Sequence, residues 1–187
     1  MRTAIACAAL LLGLATAHAG EYEKGISAFR RAHYPESVSL LKPLAQRGDP
    51  YAQFAIAVMY DDGIALPQDF SRAISWYTRA AKAGHVDAQY MLGRIYGRGR
   101  GVKQDPRMAF LWFNLAAAGG HPFAPRLRDQ QRSQVNRAER SRLEDEAVVF
   151  QARHPQPFSC KGQRCIYPRW TAKPRWNWLD LDNTDIQ

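Results

Sequence analysis

Small and apolar residues recur at helical spacing through the middle of the chain, and the whole pattern returns after 36 residues. Residues 55–89 and 91–124 share eleven identities at this single offset. The identical pairs are Tyr60/Tyr96, Gly63/Gly99, Gln68/Gln104, Asp69/Asp105, Ala73/Ala109, Trp76/Trp112, Ala80/Ala116, Ala81/Ala117, Gly84/Gly120, His85/His121 and Ala88/Ala124. A fixed period of this length is typical of stacked helical repeats. Weaker pairs (Ala45/Ala81, Gly48/Gly84 and Ala52/Ala88) predict a degenerate unit before the two full ones.

Apolar periodicity and end signals together predict a series of helices. They cover residues 21–32, 36–47, 50–60, 70–83, 86–96, 106–118, 123–131 and 133–151. Asp69 and Asp105 suit N-cap positions, because a carboxylate accepts hydrogen bonds from the first helical turn. Gly84 and Gly120 suit the left-handed residue that follows a helix. We assign a structural role in the repeat to Tyr60, Gly63, Asp69, Trp76, Gly84, Tyr96, Gly99, Asp105, Trp112 and Gly120.

The last predicted helix is long and charged, and Ser133 is its predicted N-cap. Its predicted buried side consists of Val135, Ala138, Leu143, Ala147 and Phe150. A terminal helix with a polar outer face would close the stack of repeats and keep it soluble.

The first segment resembles a targeting signal rather than part of the fold. Arg2 is followed by an apolar stretch over residues 4–15, and then by Ala17 and Ala19 at the spacing of a signal-peptidase site. We expect cleavage after Ala19 and a periplasmic or secreted product; an uncleaved anchor is the alternative. No later segment is predicted to cross a membrane. The predicted organisation is a signal peptide at 1–19, a helical-repeat domain at 20–153 and a tail at 154–187.

The tail is rich in proline and alternates aromatic with basic residues. Cys160 and Cys165 are predicted to form a disulfide, since an exported chain matures in an oxidising compartment. A zinc site is disfavoured because only His154 lies nearby. The aromatic residues could pack on the solenoid as a cap, or could bind a glycan or a partner; those of interest are Trp170, Trp176 and Trp178. Export argues against nucleic acid as the ligand.

The charge of the chain adds one expectation about partners. The formal net charge of +9 favours encounters with acidic surfaces. A local basic cluster consists of Arg94, Arg98, Arg100 and Lys103. It could bind an acidic partner protein, although a solvated face is the default interpretation.

The remaining candidates for chemistry have simpler structural interpretations. His85 and His121 are repeat-equivalent, and we interpret them as turn residues rather than metal ligands or bases. Asp61 and Asp62 could be paired carboxylates, but a solvated loop is the favoured interpretation. No motif for a nucleophile, a metal or a phosphate is present. We therefore predict no catalytic residues, no metal and no cofactor.

One set of residues in the second repeat forms a recognisable pattern: Leu92, Gly93, Tyr96, Gly99, Gly101, Val102, Gln104, Asp105, Ala109, Trp112, Ala116, Ala117 and Gly120. In this pattern the repeat resembles the SLR (Sel-one-like repeat) family, relatives of the tetratricopeptide repeats. The resemblance implies an all-α, right-handed solenoid of antiparallel helix pairs with a binding or adaptor role and no common catalytic set. Ala57 and Ala65 replace the glycines found at 93 and 101, so we expect the first loop to be stiffer and less tight.

Three functions follow from these observations. The first is a non-enzymatic periplasmic adaptor that binds a partner protein on the concave face of the repeats. The second, by analogy with the family, is an immunity protein that neutralises a secreted antibacterial effector. The third is an envelope protein that binds glycans through the aromatic tail.

Overall fold

The computed structural model describes residues 20–153, and every regular element in that range is an α-helix. The helices are α1 (20–30), α2 (Tyr34–Gln46), α3 (Pro50–Asp62), α4 (Phe70–Lys82), α5 (Val86–Arg98), α6 (Pro106–Ala118), α7 (Ala124–Arg132) and α8 (Arg137–Arg153). Helices that follow one another from α2 to α7 pack together, and α8 packs on α6. The expected all-α fold of stacked helix pairs is confirmed.

The helix starts of the two full repeats are fixed by side-chain caps. The Asp69 carboxylate accepts a hydrogen bond from the backbone N–H of Arg72 at 2.9 Å. Its equivalent Asp105 accepts from Arg107 and Met108 at 3.0 and 3.2 Å. These bonds satisfy N–H groups that have no partner inside the helix. The second helix of each pair therefore begins at the equivalent residue in both repeats.

The loop between the two helices of each repeat is the same in both. The Gln68 amide donates to the Asp61 carbonyl at 2.9 Å, and Gln104 donates to the Gly97 carbonyl at 2.8 Å. Ala65 has a φ of 70°, close to the 73° of its equivalent Gly101. The expectation of a less tight first loop is therefore wrong: alanine accepts the left-handed backbone that glycine adopts in the second loop.

Buried glutamines join each repeat to the preceding unit. The Gln53 amide donates to the Ala45 carbonyl at 3.1 Å, and its equivalent Gln89 donates to the Ala81 carbonyl at 3.2 Å. Both side chains are buried, with exposures of 6% and 0%. Position 125, one period further on, is a proline and carries no amide. The series of equivalent bonds thus ends where the two full repeats end.

The last helix begins later than the sequence predicts. The cap is Asn136, whose side-chain oxygen accepts from the backbone N–H of Glu139 at 2.9 Å. Ser133 lies outside the helix and donates instead to a carbonyl of α7. An asparagine followed three residues later by a glutamate is a strong start signal. Ala138, which was expected on the buried side, is exposed, whereas Leu143 and Ala147 are buried as expected.

Between residues 20 and 153, no helix combines the length and the apolar character needed to cross a bilayer.

Candidate protein-binding surface

A polar cluster ties the end of α3 to the loop between α5 and α6. Nη2 of Arg100 lies 3.3 Å from Oδ1 of Asp61 and 3.9 Å from Oδ1 of Asp62. It also donates to the Asp61 backbone carbonyl at 3.2 Å. The Tyr77 hydroxyl donates to Oδ2 of Asp61 at 3.4 Å, and the guanidinium lies over the Phe70 ring. Residues 39 positions apart are thus held together across the two repeats.

The electrostatics of this cluster follow from the burial of Asp61. Its side chain is 2% exposed, against 30% for Asp62. Burial raises the pKa of Asp61, while the nearby Arg100 opposes the rise. Burial, and then the neighbouring Asp61, raise the pKa of Asp62 to about 6. The interpretation as a solvated position is wrong for Asp61, which is buried in the contact between repeats, whereas Asp62 is exposed.

The predicted basic cluster is divided between different environments. Arg100 is bound to the aspartates, and Arg94 also lowers the pKa of Asp61. Arg94 lies against the Tyr90 ring, 5.8 Å from its centroid. Arg98 and Lys103 are exposed. Arg94 and Arg100 therefore act largely within the fold, whereas Arg98 and Lys103 are exposed to solvent.

Lys103 lies at a groove between the α5–α6 loop and the start of α8. The groove has a volume of about 680 Å³. It is lined by Tyr96, Val102, Lys103, Gln104, Asp105, Pro106, Arg107, Gln134, Asn136 and Glu139. Arg107 and Glu139 form an ion pair across it. Because both signs of charge alternate along this lining, the groove shows no preference for an anionic or a cationic ligand.

The two histidines are packing residues and not merely turn residues. The ring of His85 stacks on Phe54 at 4.6 Å, and that of His121 stacks on Tyr90 at 3.9 Å. Nδ1 of His85 accepts from the N–H of Ala88 and so caps α5. Burial lowers the pKa of His85 to about 3, so the imidazole is neutral at neutral pH. Across residues 20–153, no group of three or more His, Cys, Asp or Glu side chains could hold a metal.

The outer face of α4 is a feature that sequence reasoning missed. Arg72, Ser75, Arg79 and Lys82 are exposed, and Trp76 is partly exposed between them. Spacings of three and four residues place them on one side of the helix. The signal was available in the sequence, because basic and small residues alternate with the buried positions of α4. These five residues form the α4 face.

The predicted tail residues lie outside the described part of the chain. They are the cysteines Cys160 and Cys165 and the tryptophans Trp170, Trp176 and Trp178. The predicted signal peptide at 1–19 also lies outside it.

Comparison with known proteins identifies the repeat. The Sel1 repeat model matches residues 50–85 and 86–121. A solved Sel1 repeat protein from Oxalobacter formigenes is 33% identical with a TM-score of 0.56, and the match covers 60% of this chain and 88% of that one. A protective antigen present in uropathogenic Escherichia coli strains, which displays an SLR fold, is 22% identical with a TM-score of 0.66.

That second match covers 79% of this chain, which spans only 34% of the antigen's length. A search of curated proteins finds no significant match. The matched family repeats coincide with the 36-residue units whose caps, loops and glutamine bonds are described above. The chain belongs to the Sel1 repeat family.

Proposed function

We propose that this protein is a non-enzymatic, exported scaffold that binds a partner protein through the concave face of its repeats. Sel1 repeat proteins generally act as scaffolds for protein–protein interaction. The observation that carries the proposal is the pair of stacked repeats at residues 50–85 and 86–121. Stacked helix pairs create an extended surface, which suits a peptide or a protein better than a small ligand.

The proposed partner has an acidic surface. The net charge of +9 supports this choice, since a basic protein associates faster with an acidic one. Arg98 and Lys103 remain exposed on the second repeat and can contribute to it. Charges at the rim of an interface change the association rate more than the affinity.

The proposed location is the periplasm or the exterior, after cleavage behind Ala19. The apolar segment 4–15 and the small residues that follow support it. N-terminal sequencing of the protein recovered from its native host tests this directly. A first residue at Gly20 supports export, and an intact Met1 in the cytoplasm contradicts it.

The binding function is tested by crosslinking the tagged protein in its native compartment and identifying the product by mass spectrometry. We expect one dominant partner in near-equal amount. The charge reversals Arg98→Glu and Lys103→Glu together should slow association with this partner, while the matched reversals Arg126→Glu and Arg137→Glu, also at exposed positions, should not. A protein that stays monomeric and uncrosslinked under several growth conditions would contradict the proposal.

A further inference from the structure

Two of the three cations of the α4 face, Arg79 and Lys82, have no carboxylate partner among residues 20–153. Arg72 pairs with Asp69 at the start of the helix, at 3.2 Å. Arg79 lies over the ring of Trp76, 4.6 Å from its centroid. The face therefore combines two unpaired cations with a large aromatic side chain that is only partly covered.

The second repeat shows how the equivalent face is covered. Trp112, one period after Trp76, is 6% exposed, and its ring meets that of Phe150 on α8 edge to face at 6.3 Å. An ion pair between Arg107 of α6 and Glu139 of α8 flanks this contact. The face of α6 that corresponds to the α4 face is thus occupied by a helix that contributes one aromatic ring and one carboxylate.

The cover of α6 does not extend to α4. Described helices that pack extensively on α4 are α3 and α5, on the opposite side from its exposed residues. At the positions where α6 has the buried Leu111 and Leu115, α4 has Ser75 and Arg79. An apolar surface has been replaced by a small residue and a cation, while the tryptophan is retained.

We propose that the α4 face docks an amphipathic, acidic helix of a partner protein. Its carboxylates pair with Arg79 and Lys82, and a large apolar side chain packs on Trp76 as Phe150 packs on Trp112. This inference rests on the proposed binding function and assigns that function a second surface, away from the second-repeat cations Arg98 and Lys103. The partner chemistry follows from charge complementarity and from the manner in which α8 covers α6.

The spacing of the cations limits what the partner helix can be. Arg79 and Lys82 are three residues apart, which corresponds to about 4.5 Å along α4. Two acidic residues separated by three or four positions on a facing helix match this spacing. Ser75 precedes Arg79 by about one turn and is small, so a helix can approach the face closely.

The test places a photo-crosslinking residue at Ser75 in the full chain, expressed in its native host. The matched control places the same residue at Ser39, the exposed equivalent on α2. We expect a dominant protein adduct from position 75 and none from 39, with the crosslinked partner peptide mapping to a helix rich in Asp and Glu. Equal adducts from both positions, a lipid adduct, or a partner peptide without acidic residues would each overturn the proposal.

Charge reversal completes the test with the identified partner. Arg79→Glu with Lys82→Glu should weaken binding at least about tenfold, and more steeply at low salt than at high salt. Reversing the partner's acidic residues to lysine should restore binding to the reversed chain. Because both positions are exposed, a circular dichroism melt of the variant checks that it folds.

The two proposals can fail separately. If a partner binds but the reversal changes nothing, the α4 proposal is wrong and the scaffold function stands. If no protein partner is crosslinked at any position, both are wrong.

Discussion

The two full repeats share one framework but differ in what joins their helices. Both stack a histidine on an aromatic ring of the first helix, and both send a buried glutamine amide to the preceding unit. Tyr77 packs on Phe54 at 5.7 Å and 54°, and Phe113 packs on Tyr90 at 5.9 Å and 55°. Substitution at these positions has changed the chemistry of the contact while leaving its geometry intact.

The difference between the repeats is concentrated at one junction. The first repeat has Asp61 beneath the hydroxyl of Tyr77, whereas the second has Gly97 and Phe113 at the equivalent places. The contact in the first repeat thus depends on polar partners, including Arg100 from the next repeat. The contact in the second repeat depends only on close packing of complementary shapes. A polar contact is sensitive to the loss of one partner, and a contact based on shape is sensitive to added volume.

The largest effect is expected from adding one methyl group to the second repeat. A Cβ at Gly93 would lie 2.5 Å from the ring of Phe113, which is itself 2% exposed and has no room to move. We expect Gly93→Ala to lower the free energy of unfolding by about 2–3 kcal/mol. The measurement is urea unfolding followed by circular dichroism.

The first repeat provides the matched reverse change. Ala57 occupies the equivalent position and is buried. Ala57→Gly should cost about 1 kcal/mol through the flexibility of glycine in a helix. If Gly93→Ala instead raises stability, as the change from glycine to alanine does at an unobstructed helix position, the close contact with Phe113 does not distinguish the repeats.

The next effect comes from exchanging a single hydroxyl between the repeats. Phe113→Tyr would bury a hydroxyl opposite Gly97, where the neighbouring polar side chain is the neutral Gln131 amide and not a carboxylate, at a cost of about 1–2 kcal/mol. Tyr77→Phe would remove the 3.4 Å bond to Asp61 and should cost about 1 kcal/mol. Thermal unfolding of the two variants ranks them. A Phe113→Tyr variant as stable as the parent would show that this junction tolerates a polar group.

The sequence was sufficient to predict the repeat framework. The predicted starts of α3 to α6 coincide with the observed ones, because aspartates, prolines and histidine mark them locally. The start of α8 was predicted incorrectly, since both Ser133 and Asn136 are possible caps and only the second has Glu139 three residues later. The start of a helix is thus predicted reliably where only one residue is a possible N-cap, and ambiguously where two are.

The candidate site could not be predicted in the same way. The burial of Asp61 depends on Arg100, which is distant in sequence and belongs to the next repeat. The difference in exposure between Trp76 and Trp112 depends on where α8 packs. Both are tryptophans at equivalent positions of the repeat, so the sequence alone does not distinguish them. Such properties come from packing between units, which the period of the repeat does not specify.

A smaller effect, on the pH dependence of stability, is expected from Asp62, a position that is aspartate only in the first repeat. Allowing for solvent screening, its contribution to the free energy of unfolding should be about 1 kcal/mol. Its pKa is raised to about 6, so the fold favours the protonated form. Its stabilising contribution is complete below pH 4 and is lost as the pH rises through 6. Asp62→Asn should therefore leave stability unchanged near pH 4 and raise it at pH 7.

The control for this pH dependence is Asp145→Asn at an exposed position of α8. Burial raises the pKa of Asp87 to about 6. Subtracting the unfolding free energies of parent and variant at each pH removes the contributions of His85 and Asp87, which both proteins share. A difference that does not change between pH 4 and pH 7 would contradict the raised pKa of Asp62.

The smallest effect tests the loop that both repeats share. Ala65 holds a φ of 70°, a conformation that costs a non-glycine residue about 1 kcal/mol, and Ala65→Gly relieves this strain. Glycine also gains freedom in the unfolded chain, which offsets about half of the relief, so the net gain should be about 0.5 kcal/mol. The reverse change, Gly101→Ala, should be clearly destabilising, because its Cβ would lie 2.4 Å from that of Phe70. A loss for Gly101→Ala that is much larger than the gain for Ala65→Gly, in one series of urea melts, would show that the loops share a backbone but not the space around it. Equal and opposite changes would mean that the neighbouring Phe70 has no influence.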